Sequence, residues 1–111
     1  MGTLQPAQLL RLYVSEQDKH AHQPLYEALV YAARQAGLAG ATVTKGVLGF
    51  GAQGQIESAK LLTLAENLPL VLDFVDGPAN IVRFLPEVER LLGEAGSGGL
   101  LMLSEVQAAH C

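Results

Sequence analysis

The chain has 111 residues, of which half are hydrophobic and only 16% charged, and its formal net charge is −4. That is one domain's worth of sequence. It has no basic stripe for nucleic acid and no apolar run near the roughly 18 residues of a membrane span. So little charge on so small a domain predicts that part of its apolar surface is buried between subunits.

The start, MGTLQPAQLLRLYV, has no basic leader region, and the lone cysteine, Cys111, can staple nothing within the chain. Both point to a cytoplasmic protein. From Gln8 to Ser15 the pattern alternates as a strand does, with Leu10, Leu12 and Val14 on one face and Leu9, Arg11 and Tyr13 on the other. Ser15 to Gln23 reads as a polar connection. Pro24 suits a first helical position, and Leu25, Ala28, Leu29, Ala32, Ala33 and Ala36 then recur at helical spacing, with Glu27, Tyr31, Arg34 and Gln35 outward. Gly37 falls where a helix stops in the left-handed conformation.

A β-branched run predicts a strand from Ala41 to Phe50, which exits through Gly49-Phe50-Gly51-Ala52-Gln53-Gly54 into a loop. Ser58 to Glu66 fits a helical turn or a strand equally well. Leu68 to Asp76 alternates again, with Leu70, Leu72 and Phe74 opposite Val71, Asp73 and Val75. Pro69 marks a strand start, an edge or a bulge. Gly77-Pro78 opens a second helix whose stripe is Ile81, Phe84, Leu85, Val88, Leu91 and Leu92. Pro86 within it predicts a kink or a late start. Gly93 to Gly99 reads as a second glycine-rich loop, and Leu100 to Val106 as a last strand.

The order β-α-β-β-α-β defines an α+β, ferredoxin-like sandwich as a single domain with its core over about residues 8–107. Its four-stranded antiparallel sheet carries both helices on one face. The other face would hold Leu9, Arg11, Tyr13, Thr42, Thr44, Leu48, Phe50, Val71, Asp73 and Val75, a mixture suited to a subunit interface. Arg11 and Asp73 are placed to pair there, across a subunit contact.

The phrases PLYEALVYAARQAGLAGATVTKGVLGFGA and AENLPLVLDFVD resemble the uncharacterised family known as domain of unknown function 190, related to the nitrogen-regulatory PII proteins. The likeness runs from about Leu9 to Val106. It implies a cytoplasmic homotrimer whose helix-free sheet faces meet, acting in signalling without catalysis. PII proteins bind adenine nucleotides between subunits and contact partners, including membrane transporters or channels, through a loop leaving the central strand. Carried over by position, Gly49, Phe50, Gly51 and Gln53 match the base of that loop, and Gly96, Gly98 and Gly99 match the second nucleotide-binding loop. Leu100 and Leu101 stand where PII places a phosphate-binding lysine, and no Lys or Arg follows Arg90. A nucleoside, a monophosphate or another small anion therefore fits better than a triphosphate.

Other residues invite chemistry on their own. Gly96-Ser97-Gly98-Gly99 can present backbone N–H groups to an anion, or simply turn the chain. Lys45 and Lys60 flank the central loop and can supply phosphate charge, though solvated surface lysines are the commoner case. His20 and His22, with Asp18 or Glu16, have the makings of a metal loop like that of a divalent-cation tolerance trimer of similar fold, but lack a third strong ligand at motif spacing. No nucleophile motif or Walker loop is present.

Overall fold

The computed structural model describes residues 2–52, 54–59 and 67–110. The long strands form one antiparallel sheet, as predicted. Strand β1 (Gln5–Ser15) lies between β7 (Pro69–Asp76) and β8 (Leu100–Ala108), and β4 (Gly40–Lys45) flanks β7, giving the order β4-β7-β1-β8. Helices α1 (Leu25–Gln35) and α2 (Pro78–Ala95) supply the remaining layer. Two short hairpins are also present among the described residues: β2 (Lys19–His20) with β3 (Gln23–Pro24), and β5 (Leu48–Gly49) with β6 (Glu57–Ser58).

The core follows from the alternation of the two central strands. Leu10 stands opposite Phe74, Leu12 opposite Leu72 and Val14 opposite Leu70, and all six are buried. Leu25, Leu29 and Ala33 of α1 and Ile81, Phe84, Val88 and Leu91 of α2 close over them, the i, i+3, i+4 stripes burying the apolar faces that hold the fold together. Phe84 meets Phe74 edge to face, with ring centroids 5.5 Å apart. The α1 stripe is narrower than its alanines predict, since Ala36 is exposed.

Several expectations are corrected. The strand predicted over Ala41–Phe50 ends at Lys45. Gly46 N–H makes a last bond to Pro69 O at 2.7 Å, and Pro69 has no N–H to answer it. A Cβ at Gly46 would also stand 2.9 Å from Pro69 Cγ, so the chain passes Pro69 only as glycine and leaves the sheet. Leu48 and Phe50 therefore belong to the separate hairpin and not to the helix-free sheet face. Helix α2 starts at Pro78 without delay and continues past Pro86, whose exposed side chain and missing N–H leave the buried stripe intact. Gly93 is helical; the stop comes at Gly96, in the left-handed conformation at φ 64°. The polar connection after Ser15 contains the β2–β3 hairpin. Most of the ambiguous Ser58–Glu66 stretch lies outside the described residues.

On the helix-free face, Arg11 faces Asp73 within the same chain, as neighbours in the register of β1 and β7 and not across a subunit contact. Leu9, Tyr13, Val71 and Val75 surround them half-buried. Leu100 and Met102 of β8 stand opposite Tyr13 and Arg11 on that face, 59% and 40% exposed.

Candidate functional site

At one end of the sheet the two glycine-rich loops meet. Gly99 passes so close to β1 that a Cβ on it would lie 2.5 Å from Tyr13 O, which restricts the position to glycine. Gly98 faces the loop of the β5–β6 hairpin: a Cβ there would lie 3.4 Å from Ala52 Cβ. The turn from Gly96 to Gly99 thus lies against the loop that follows Phe50, and Phe50 itself is 71% exposed.

A polar framework ties this end together. Ser97 Oγ accepts from Gly99 N–H at 3.2 Å and donates to Asp18 Oδ2 at 2.9 Å. The same carboxylate oxygen accepts from Ser15 N–H at 3.1 Å, while Asp18 N–H returns to Ser15 O at 3.1 Å. Ser15 Oγ accepts from Gln17 N–H and donates to Asn67 Oδ1. Asn67 Nδ2 in turn donates to Glu57 Oε1 at 3.4 Å. Glu57 is 8% exposed, and its Oε2 has no hydrogen-bond partner among the described residues. A buried carboxylate held through one oxygen is costly, and its position depends on the partner it has.

The structure treats the predicted residues unevenly. Gly49, Gly51, Gly96, Gly98 and Gly99 lie at or beside this junction, Gly49 on β5 within 3.1 Å of Pro69 Cγ by the same Cβ measure. Lys45 reaches Glu16 Oε2 at 2.9 Å, so its charge is already paired. Gln53 and Lys60 lie outside the described residues. His20 Nε2 bonds Glu94 Oε1 at 2.7 Å, joining the β2–β3 hairpin to the end of α2. His20, then Arg90, hold the Glu94 carboxyl below its ordinary range. His22 sits at φ 71° and is exposed. Asp18 and Glu16 are committed to Ser97 and Lys45, so neither joins the histidines. Among the described residues, no group of three His, Cys, Asp or Glu is placed to hold a metal.

Ser15, Asp18, Asn67 and Glu57 were not read as one unit from the sequence. Ser15-x-x-Asp18 does carry a local signal, because a serine and an aspartate three apart can close a turn reciprocally. Asn67 has none, since its partners lie 52 and 10 positions away.

The chain has a PII-like fold: a ferredoxin-like sandwich with a hairpin excursion over a glycine turn. The nitrogen-regulatory PII-like protein CPII of Thiomonas intermedia K12, solved with ADP, AMP and bicarbonate, superposes with a TM-score of 0.73 at 15% identity, covering 97% of this chain and 92% of that one. A putative PII-like signaling protein of Thermus thermophilus gives 0.64 at 18% identity, covering 95% and 91%. The UPF0166 protein of Aquifex aeolicus is 33% identical over 102 residues, 92% of each chain. That of Methanocaldococcus jannaschii is 31% identical over 99 residues, 89% of this chain and 88% of its own. Residues 7–108 match the model of the DUF190 family, Uncharacterized ACR, and the chain belongs to that family.

Proposed function

We propose that this protein is a trimeric PII-like regulator that works without catalysis. It binds a small adenine nucleotide or related anion in an intersubunit cleft at the Gly96–Gly99 turn. It contacts a partner protein, a membrane transporter or channel, through the loop after Phe50. The observation that carries the reading is the packing of Gly98 against Ala52, which puts the Gly96–Gly99 turn directly against the loop that would carry the signal. CPII, of the same fold, binds ADP and AMP. The partner contact draws support from Val47, Leu48, Phe50 and Ile56, all exposed on the hairpin or its loop. No helix among the described residues is long and apolar enough to cross a membrane.

Ligand acts here by population shift: it changes the loop only through a difference in affinity between loop states. The test is a thermal-shift titration with adenosine, AMP, ADP, ATP, cyclic dinucleotides and bicarbonate. A ligand that binds only the folded state raises the melting temperature with concentration. The expected result is a shift with AMP or ADP that disappears in Gly98→Val. A panel with no shift, or a shift indifferent to Gly98→Val, overturns the reading.

A further inference from the structure

We infer that the hydrogen-bonded series Gly99–Ser97–Asp18–Ser15–Asn67–Glu57 is the mechanical link between the glycine turn and the β5–β6 hairpin, so that the state of the turn sets the stability of the hairpin. The inference rests on the regulatory reading above and specifies how that site is coupled to its loop. Three features carry it. The series is continuous, each member bonding the next. It joins segments that are otherwise far apart in sequence, with Asp18 and Ser97 separated by 79 positions and Ser15 and Asn67 by 52.

Its far end is the third feature. Glu57 sits directly across β5 from Gly49 in the hairpin register. Its carboxylate is buried, and Asn67 is its one hydrogen-bond partner among the described residues. Any movement of Asn67 thus leaves Glu57 with a choice between a buried carboxyl group short of hydrogen bonds and an opened hairpin that hydrates it. The near end is where ligand enters. Gly99 N–H is given to Ser97 Oγ, and an anion seated on the turn competes for that same proton. Loss of the Gly99 bond releases the Ser97 hydroxyl from the geometry that fixes Asp18, and Asp18 positions Ser15 and through it Asn67. Among the described residues neither carboxylate of the series makes an ion pair, and Lys45 is held by Glu16. Hydrogen-bond geometry therefore transmits the change, with little long-range attraction to compete.

The experiment is native-state hydrogen exchange on the full chain without ligand, reading the Ala59 amide, which bonds Val47 O, and the β5–β6 amides. Ser97→Ala removes the second member of the series, a partly exposed residue outside the hydrophobic core. Its expected effect is faster exchange at the hairpin by about two- to thirty-fold, with the Leu10 and Leu12 amides unchanged. In an Asn67→Leu background the same Ser97→Ala change has no further effect on the hairpin, and Asn67→Ser replaces Asn67→Leu if the latter fails to fold. Unchanged hairpin exchange in Ser97→Ala, additive effects of the two substitutions, or equal acceleration throughout the sheet each overturns the link. Because no ligand is used, such a failure leaves the nucleotide reading standing. That reading falls only on its own thermal-shift test.

Discussion

Arg11 and Asp73 grip one another across β1 and β7 through two bonds, Nε to Oδ1 at 2.7 Å and one Nη to Oδ2 at 2.9 Å. The paired geometry, on the sheet face without helices, holds the Asp73 carboxyl below its ordinary value of 3.8 and the Arg11 guanidinium above its own. A depressed carboxylate stabilises the fold fully above the unfolded value and loses that contribution as pH falls through the lower folded value. Wild type should therefore lose stability faster than Asp73→Asn as pH drops from about 5 to about 2, in urea unfolding at each pH. Parallel curves would show the pair to be without consequence.

The same face should mediate assembly. Met102 stands opposite Arg11 in register, and Leu100 opposite Tyr13. Met102→Arg places a second cation beside Arg11 on a surface that must lose water to associate. Analytical ultracentrifugation should give a trimer for wild type and the 11.7 kDa monomer for the variant. A variant that sediments like wild type would move the interface elsewhere.

Neighbouring glycines should differ sharply. Gly99→Ala drives a Cβ to 2.5 Å from Tyr13 O and should cost about 1–3 kcal/mol by chemical denaturation. Gly98→Ala brings a Cβ to 3.4 Å from Ala52 Cβ, ordinary contact, and should stay within about 0.5 kcal/mol of wild type.

Asn67→Ala should destabilise by about 1–3 kcal/mol, because Glu57 is then buried with neither oxygen bonded among the described residues. Adding Glu57→Leu should recover part of that loss. If the double variant is no better than Asn67→Ala, the carboxylate is not the source of the cost.

The β2–β3 turn should be improvable. Ala21 and His22 link the paired residues His20 and Gln23, and both have positive φ, 49° and 71°, where Asn-Gly is the favoured pair. Ala21→Asn with His22→Gly should raise stability by about 1 kcal/mol while leaving the His20–Glu94 bond in place. An unchanged or lowered melting temperature would contradict this.

Local periodicity by itself determined the helices, the central strands and the inward face of each. Leu10, Leu12, Val14, Leu70, Leu72 and Phe74 are buried because side chains alternate across a strand wherever it lies. The helix stop at Gly37 was legible for a similar reason, since a stop at positive φ is a property of one residue, whereas Gly93 read as loop and the second helix runs on to stop at Gly96. Only the tertiary structure decided where β4 ends. Val47 and Leu48 continue the strand pattern, but Pro69, arriving from a distant part of the chain, supplies a carbonyl without an N–H and takes the space a side chain at Gly46 would need. It also decided the partners of Lys45, Asp18, Ser15, Asn67 and Glu57. A polar side chain has no periodicity to reveal its partner. Which donor meets which acceptor is fixed when folding brings distant segments together and burial makes an unpaired polar group costly.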